Sequence, residues 1–364
     1  MLQLKDADRL IAQVFGAKDA ILRNDALRFV AIEGGDGLRW IIPADLGPSS
    51  HVLADWRPYK RSSRLAWRIV QVASQAGILS RVPGTRLFEV DLTGIEWADY
   101  GWLRSYPPCV ITYVGTAGPH QKLVCTFVDP HAAAAILVVK FPLVDSANSL
   151  LWREYENLNT LVNEGRDIGP HPLRIDGQIR FTVQSYLQGR PVGVAIGQAH
   201  LDFLAGLVQP RRHLELRTAR SELYTRRDYL ASIGALSGAA HDMVTSLLED
   251  GAWNGVVPAV RIHGDFAPWN LKRRPDGRLS AIDWEDSEEN GLPYVDLLHF
   301  RASVTNLLGR KCHVPWKQYT RAIMSVDSRL TESSMQLAYN AAAAHQVLVS
   351  QMSALQEGNP IDVS

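Results

Sequence analysis

The sequence has little cysteine, no net charge and no long apolar run, and each of these excludes a class of protein. Cys109, Cys125 and Cys312 are too few and too widely spaced for a disulfide framework or a structural zinc site. The 38 basic and 38 acidic residues balance, so bulk charge favours neither nucleic acid nor an anionic membrane as a partner. The longest apolar run, Ala132 to Val139, is far shorter than the roughly 20 residues that a membrane-spanning helix needs.

The first residues and the composition indicate a cytoplasmic globular protein. Charged residues between Met1 and Arg9 interrupt the stretch where a signal peptide carries its apolar segment. An apolar content of 46% in 364 residues is enough for a sizeable core and, by length, for two or three folding units. We therefore predict a cytoplasmic protein with no transmembrane segment and no nucleic-acid partner.

Apolar patterns and breakers divide the chain into three predicted regions. Residues 1–105 contain a hairpin around the glycine-rich turn Glu33–Gly37 and a helix over Ser62–Ala76, and they form an N-terminal extension of unknown role. Residues 106–187 contain strands and one helix. Residues 188–364 are mainly helical, except around one loop that carries the most informative residues.

The middle region shows β-branched and apolar runs separated by turns, followed by one helical pattern. The predicted strands are Cys109–Val114, Leu123–Val128, Ile136–Phe141 and Arg180–Leu187, and the predicted helix is Ser149–Asn163. This order predicts that residues 106–187 form a unit of strands with one helix, and that a mainly helical region follows it.

The stretch RIHGDFAPWN, which begins at Arg261, is followed after ten residues by AIDWE. Together they place His263, Asp265, Asn270 and Asp283 in one short span. Phosphoryl transfer from a nucleotide needs this set, because one carboxylate accepts the proton of the attacking hydroxyl while an asparagine and a second carboxylate hold metal ions. The order and spacing follow the protein-kinase pattern H-x-D-x-x-x-x-N, followed by an aspartate after a short strand.

Two departures from that pattern identify a branch of the kinases. Gly264 stands where protein kinases have arginine, and Trp284-Glu285 replaces Phe-Gly. With these residues the sequence resembles the aminoglycoside phosphotransferase and choline kinase family, over roughly residues 109 to 300. The resemblance implies an α+β, protein-kinase-like bilobal fold. It has an N-lobe of antiparallel β-sheet with one helix, a mainly helical C-lobe and, in this chain, an extra N-terminal α/β segment.

The resemblance also implies the chemistry of the loop. Asp265 is expected to be the catalytic base and His263 to support the loop, while Asn270 and Asp283 are expected to hold Mg²⁺. ATP is the expected phosphoryl donor, with GTP as the alternative, and a small molecule with a hydroxyl group is the expected acceptor. The ordinary alternative is a loop aspartate that caps a turn, together with an Asn and an Asp in a β-turn.

Lys140 closes the strand Ile136–Phe141 and precedes a helix that carries Arg153-Glu154. A lysine at this place either grips the α- and β-phosphates or is an edge residue that reaches water. The family's R-E-x-x-x-L helix carries a glutamate that pairs with the phosphate lysine. The match selects Glu154 over Glu156 as that partner.

Two further segments are candidates for nucleotide binding. Gly115, Thr116 and Gly118 lie between the first two strands of the middle region and are expected to cover the phosphates with backbone N–H groups. They form neither a Walker A motif nor the full G-x-G-x-x-G of protein kinases. Ser185, Tyr186 and Leu187 resemble the connector between the lobes, whose backbone reads the purine edge.

Residues around the metal aspartate complete the set. Asp296, in the segment GLPYVDLL, matches a family residue that braces the catalytic loop, so we expect a structural role. An acidic run precedes it and is expected to be a solvated loop, with the alternative that it favours a cationic acceptor. The residues of the run are Glu285, Asp286, Glu288 and Glu289.

Two other functions remain open from the sequence. One is a nucleotide-binding pseudokinase or regulatory module whose N-terminal segment carries the output. The other is a nucleic-acid or membrane adaptor built on Arg57–Arg68, which the zero net charge disfavours. The plainer expectation for that segment is an amphipathic helix packed on the kinase with its basic face in water. The acceptor and the oligomeric state stay open.

Overall fold

The computed structural model describes residues 2–3, 6–14, 27–35, 37–90, 109–177, 181–249, 251–327 and 329–356. The chain divides into two compact units, Met1–Pro191 and Val192–Ser364. The predicted break near residue 105 lies outside the described residues. The described part of the N-terminal extension belongs to the same compact unit as the middle region, so the structure does not separate the two.

The first unit is built around strands, with helices between them. Its helices are α1 (Ala7–Val14), α2 (Arg61–Gln75) and α3 (Ser146–Asn163), with 3₁₀ turns at Gly47–Asp55 and Leu79–Arg81. Its strands are β1 (Leu27–Gly34), β2 (Gly37–Pro43), β3 (Thr85–Val90), β4 (Val110–Val114), β5 (Lys122–Asp129), β6 (Ala134–Pro142), β7 (Pro172–Ile175), β8 (Thr182–Ser185) and β9 (Arg190–Pro191). The predicted hairpin, strands and helices of this half are therefore present.

One sheet joins the N-terminal extension to the middle region. Within the described residues its order is β3-β1-β2-β4-β5-β6-β8-β7. The junction is the antiparallel pairing of β2 with β4, where Trp40 lies opposite Tyr113 and Ile41 opposite Thr112. A hairpin that pairs with the next strand is part of the same hydrogen-bonded layer, so the described strands of the two regions form one sheet.

Alternation along the strands produces two apolar clusters. Phe29 and Ala31 belong to one buried cluster with residues of α1, while Val30, between them, belongs to a second cluster with Trp67 of α2. Successive side chains of a strand point to opposite faces of a sheet. The two clusters therefore lie on the two faces, and both faces of the N-terminal part of the sheet are covered.

Helix α2 buries a tryptophan and exposes a ridge of aliphatic side chains. Trp67, Val70 and Ala73 are buried, whereas Leu65, Ile69 and Val72 are 50–66% exposed. The indole Nε1 of Trp67 donates a hydrogen bond to Leu53 O over 3.0 Å. Because Trp67 is buried and hydrogen-bonded, the helix presents Leu65, Ile69 and Val72 to solvent.

The second unit contains more helix but also strands. Its elements are α4 (Gln198–Ala205), β10 (Val208–Glu215), α5 (Leu216–Ser232), α6 (Gly238–Glu249), β11 (Val256–Ile262), β12 (Leu271–Arg273), β13 (Leu279–Ala281), β14 (Glu288–Gly291), α7 (Val295–Ala302), α8 (Trp316–Val326) and α9 (Glu332–Gln356). A 3₁₀ turn at Pro268–Asn270 precedes β12, and a π-helical turn at Ser303–Leu307 follows α7.

The sequence did not predict β10. This strand reads VQPRRHLE, with a proline and few apolar positions, so it shows no period-two pattern. Its antiparallel pairing with the buried strand β11 explains its presence, because tertiary context overrides weak local preference. Among the described residues, no helix is long and apolar enough to cross a membrane.

Candidate active site

The loop between β11 and β12 in the second unit holds the predicted catalytic residues. Gly264 lies near the start of this loop, and its φ of +87° is in the left-handed region. A Cβ atom built at this position would lie 2.2 Å from the backbone oxygen of Asp286. Glycine is therefore required here by both conformation and space, which accounts for its presence where protein kinases have arginine.

Asp296, in the first turn of α7, braces this loop. Its Oδ2 accepts a hydrogen bond from the backbone N–H of His263 at 2.7 Å, and its Oδ1 accepts one from the N–H of Gly264 at 3.1 Å. Burial raises the pKa of Asp296, while the charge of His263 and these two hydrogen bonds act in the opposite direction. A buried carboxylate that occupies two backbone donors holds the loop backbone in one conformation.

His263 connects the loop to the segment that precedes Asp283. Its Nδ1 accepts a hydrogen bond from the backbone N–H of Asp265 at 3.3 Å, and its Nε2 lies 2.9 Å from the carbonyl oxygen of Ile282. An imidazole with this pair of partners carries its proton on Nε2. The ring is fully buried and packs against Trp284 in a tilted arrangement, with ring centroids 4.6 Å apart and an interplanar angle of 52°. These contacts agree with a supporting role rather than a chemical one.

Asn270 orients the carboxylate of Asp265. Its side-chain Nδ2 donates hydrogen bonds to the backbone oxygen of Asp265 at 3.0 Å and to Oδ2 at 2.7 Å. Since the amide NH₂ faces two acceptors, the amide oxygen points away from Asp265. That oxygen is the type of ligand that Mg²⁺ prefers, so this orientation fits the predicted metal role of Asn270.

A short hairpin brings Asp283 beside Asn270. Leu271 of β12 lies opposite Ala281 of β13, and the N–H of Ile282 donates to the backbone oxygen of Asn270 at 2.9 Å. Asn270 precedes one strand and Asp283 follows the other, so antiparallel pairing places them at the same end. Asp283 has a φ of +61°, a left-handed conformation that non-glycine residues adopt uncommonly and that aspartate tolerates better than most.

His299, one turn after Asp296 on α7, is a contact that the sequence did not predict. Its Nε2 lies 3.0 Å from Oδ1 of Asp265. The side chains of His299 and Asp265 are 23% and 38% exposed. Both carboxylate oxygens of Asp265 thus accept a hydrogen bond, one from His299 and one from Asn270, and the carboxylate is still open to solvent.

The contact changes the protonation equilibria of both partners in opposite directions. Burial opposes ionisation of Asp265, but the hydrogen bond and charge of His299 outweigh it and lower the pKa of the carboxyl. Burial likewise opposes protonation of His299, but Asp265, Asp296 and Asp286 raise the pKa of the imidazole. Asp265 is therefore an ionised acceptor at neutral pH.

The acidic run after Asp283 is not a simple solvated loop. Glu285 is buried, and Glu288 and Glu289 belong to β14. The Oε1 of Glu289 lies 2.7 Å from Arg212 and 3.8 Å from the buried Arg261. Part of the run therefore has an internal electrostatic role, which corrects the expectation from charge alone.

In the first unit, Lys140 and Glu154 form a buried ion pair. Lys140 Nζ lies 2.6 and 2.7 Å from the two carboxylate oxygens of Glu154, and both side chains are 2% exposed. Lys140 belongs to β6 and Glu154 to the buried face of α3. Lys140 is thus paired with Glu154, the glutamate that the sequence predicted as its partner. The binding of nucleotide phosphates by Lys140 stays a prediction.

The loop after β4 differs in detail from the predicted phosphate cover. The N–H of Gly115 donates to Lys122 O at 2.9 Å, and a Cβ atom at Gly115 would meet that same oxygen at 2.9 Å. Gly115 therefore continues the hairpin, and its N–H is not available to a phosphate. Thr116 is exposed, and Gly118 has a φ of +151°. Binding of nucleotide phosphates by Thr116 and Gly118 stays a proposal.

Arg39 of β2 contacts the same loop. Its Nη1 donates to Val114 O at 3.3 Å and to Thr116 Oγ1 at 3.2 Å. A Cβ atom at Gly34, on the adjacent strand, would lie 2.6 Å from Arg39 Cγ, so the glycine makes room for this side chain. The N-terminal extension thus holds one end of the predicted phosphate loop.

The predicted purine connector is also held by the N-terminal extension. The N–H group of Ser185 donates to His171 O, and that of Tyr186 donates to Ile136 O. Neither N–H group is therefore available to a purine, which corrects the expectation for these two groups. The Tyr186 hydroxyl donates to Asp55, and burial together with this carboxylate raises the pKa of Tyr186. Leu187 keeps its predicted role as a proposal.

The structure is similar to several solved phosphotransferases. A type I macrolide 2′-phosphotransferase matches with a TM-score of 0.50 at 14% identity, over 75% of this chain and 95% of that one. A macrolide 2′-phosphotransferase from Brachybacterium faecium matches with a TM-score of 0.50 at 17% identity, over 68% of this chain and 87% of that one. The chain has the α+β fold of these phosphotransferases.

A choline kinase from Streptococcus pneumoniae also matches, with a TM-score of 0.41 at 16% identity, over 67% of this chain and 84% of that one. No family model and no curated protein matches the sequence. At identities this low, the likeness concerns the fold and not the substrate.

The sequence contained a signal for His299 that motif matching does not use. Residues three apart on a helix share a face, so His299 lies on the side of α7 that carries Asp296. Once Asp296 is expected to brace the loop, a titratable residue at the third position after it is expected to face the loop as well.

Proposed function

We propose that the protein is an ATP-dependent phosphotransferase that transfers the γ-phosphoryl group to a hydroxyl of a small molecule. The observation that carries the proposal is the half-exposed Asp265, which is ionised and oriented by Asn270 and His299. A carboxylate held in this way fits a general base, which contributes roughly 10²–10⁴-fold to a rate.

In the proposed reaction, Asp265 accepts the proton of the acceptor hydroxyl as its oxygen attacks the γ-phosphorus. The bond from that phosphorus to the β–γ bridging oxygen breaks, and ADP leaves. Each carboxylate oxygen has two lone pairs and uses one for Asn270 or His299, so a position for the acceptor hydroxyl remains.

Asn270 and Asp283 are the proposed ligands of Mg²⁺. The amide oxygen of Asn270 points away from Asp265, and the carboxylate of Asp283 is close enough to oppose ionisation of Asp265. Bound Mg²⁺ would neutralise charge on the phosphates. Among the described residues, no group of three or more His, Cys, Asp or Glu side chains is arranged to hold a metal, and the proposed pair is a carboxylate and an amide.

Lys140 is the proposed ligand of the donor phosphates, and Glu154 is the residue that positions it. The ammonium group already has both oxygens of Glu154 as partners, so its direction is defined before any ligand binds. ATP is the proposed donor, with GTP as the alternative.

The experiment is a consumption assay for Mg·ATP and Mg·GTP over a panel of acceptors. The panel contains macrolides, because the first two matched structures are macrolide phosphotransferases, and also aminoglycosides, amino alcohols and free sugars. We expect one acceptor class to stimulate consumption in the wild type, and Asp265→Asn to abolish the stimulation.

Two outcomes would contradict the proposal. Consumption that is equal in the wild type and Asp265→Asn would exclude Asp265 as the base. Thermal stabilisation by Mg·ATP without transfer to any acceptor would instead favour the nucleotide-binding regulatory module.

A further inference from the structure

The exposed face of α2 combines unpaired cations with an aliphatic ridge. Arg61, Leu65, Arg68 and Val72 follow one another at spacings of four, three and four residues, which is one stripe of a helix. Leu65 is 66% exposed, Val72 is 60% exposed, and Ile69 beside them is 50% exposed. The stripe therefore alternates charged and aliphatic side chains and presents both to solvent.

The charge of this part of the chain is one-sided. Residues 56–88 contain seven basic residues and no aspartate or glutamate, although the whole chain has no net charge. The basic residues are Arg57, Lys60, Arg61, Arg64, Arg68, Arg81 and Arg86. Although the net charge of the full sequence is zero, residues 56–88 carry a net charge of +7.

The cations on and before α2 are not used inside the described part of the protein. Arg57, Lys60, Arg61 and Arg68 are exposed, and none of them forms an ion pair with another described residue. The opposite face of α2 is fixed, because Trp67 is hydrogen-bonded to Leu53 and lies 4.6 Å from the ring centroid of Trp40. Trp67 thus fixes which face of α2 points outward, and within the described residues the charges of that face have no ion-pair partner.

We propose that this face, which we call the α2 face (Arg57, Lys60, Arg61, Arg64, Leu65, Arg68, Ile69 and Val72), docks on an anionic lipid surface. Leu65, Ile69 and Val72 enter the boundary between headgroups and acyl chains, and the surrounding cations contact the headgroup phosphates. Arginine suits this place because its aliphatic stem packs on apolar surface while its guanidinium stays with the phosphates.

Other occupants fit the α2 face less well. A second copy that paired through the same face would place its cations against identical cations, which is unfavourable. Nucleic acid would satisfy the cations, but it would set Leu65 and Val72 against a charged backbone. An anionic membrane offers both a negative surface and an apolar layer below it, and only this partner uses both properties.

The test is cosedimentation of the full-length protein with vesicles of phosphatidylcholine alone or mixed with phosphatidylserine. We expect binding to the mixed vesicles only, and weaker binding as salt concentration rises. Each cation near an anionic surface contributes a factor of about five to partitioning. The triple variant Arg61→Glu, Arg64→Glu, Arg68→Glu is therefore expected to lose at least about 100-fold in binding.

A second triple variant, Leu65→Ser, Ile69→Ser, Val72→Ser, tests the aliphatic ridge. We expect it to weaken binding by at least about tenfold while the cations are retained, because the apolar contribution is lost. The matched charge control is Arg211→Glu, Arg217→Glu, Arg321→Glu, three exposed arginines of the second unit. The matched apolar control is Leu307→Ser, where the leucine is 62% exposed.

Several results would overturn the proposal. These are absence of binding to the mixed vesicles at low salt, equal binding by the α2 variants and their controls, or no effect of the serine variant. A dimer in solution that the serine variant dissociates would assign the face to self-association, and capture of DNA or RNA in preference to the vesicles would assign it to nucleic acid. Circular dichroism and a melting curve verify that each variant is folded.

Discussion

The ion pair of Lys140 with Glu154 and the pair of His299 with Asp265 differ in how much solvent they meet. Lys140 and Glu154 are 2% exposed, whereas His299 and Asp265 are 23% and 38% exposed. In the buried pair, Lys140 contacts both carboxylate oxygens of Glu154, and this contact fixes the position of the lysine inside the first unit. The open pair orients a carboxylate that solvent can still reach. Burial therefore distinguishes a positioning pair from a pair that offers a reactive group.

The sharpest test of this comparison is Lys140→Met, which keeps an apolar side chain of similar length but leaves Glu154 without its cation. Removing one partner of a buried ion pair costs about 3–5 kcal/mol. We expect the free energy of unfolding, measured by chemical denaturation, to fall by that amount. The control is Arg28→Met, which breaks the exposed pair with Asp45 and is expected to lower the free energy of unfolding far less. Equal losses would contradict the comparison.

The open pair is tested by His299→Leu and His299→Gln. A hydrogen bond to a charged group contributes roughly 1.5–3 kcal/mol, so we expect His299→Leu to lower kcat by about 10- to 100-fold. The KM for ATP is expected to stay unchanged, and His299→Gln, which can place an N–H near Asp265, is expected to recover part of kcat. A change in KM alone, or no recovery with glutamine, would mean that His299 does not position the base.

Gly264→Ala, compared with a control glycine, tests whether the close approach of Asp286 adds to the cost of the left-handed backbone conformation. A left-handed conformation costs a non-glycine residue about 1–2 kcal/mol. Gly277→Ala is the matched control, because Gly277 has a φ of +85° and open space around its Cβ position. We expect Gly264→Ala to lower stability and activity more than the control does, since only its Cβ would overlap Asp286. Equal effects would exclude the close approach.

The open pair also predicts a pH dependence of stability. The pKa of His299 is raised, so its contribution is complete below the ordinary value of 6.5 and is lost as pH rises through the folded-state pKa. The pKa of Asp265 is lowered, so its contribution is complete above 3.8 and is lost as pH falls through the folded-state pKa. The stability difference between wild type and His299→Leu is expected to be largest between these values. Because the pair is partly exposed, it should stay under about 1 kcal/mol.

The smallest expected effect concerns the N-terminal extension. Arg39→Ala removes the donor to Val114 O and Thr116 Oγ1, and we expect a rise of a few-fold in the KM for ATP, since the loop loses one neutral anchor. The control is Arg28→Ala, which lies on the adjacent strand and contacts Asp45 instead. A rise in KM for both variants would indicate a general loosening of the sheet.

The catalytic loop was predictable because its residues lie close together in the sequence. Spacing alone placed Asp265, Asn270 and Asp283 in one motif, and the short hairpin between β12 and β13 converts that spacing into proximity. The position of Glu154 was predictable for the same reason, because α3 follows β6, the strand of Lys140, after one short turn.

The structure decided the contacts whose partners are far apart in the chain or whose faces depend on packing. His299 reaches Asp265 only because α7 is anchored by Asp296, and β10 forms only because β11 pairs with it. Which side of α2 is buried depended on Trp67 finding Leu53 and Trp40.

The amino-acid sequence by itself determined which side chains can ionise, donate or accept hydrogen bonds or offer an oxygen to a hard cation, and in what order they occur. Only the tertiary structure decided which of these groups are buried and which meet solvent. The physical reason is that charge and hydrogen-bonding capacity belong to a residue, whereas desolvation belongs to its surroundings. Lys140 and Asp265 both lie in motifs that predict phosphoryl transfer, but Lys140 is buried against Glu154, whereas the side chain of Asp265 is partly exposed.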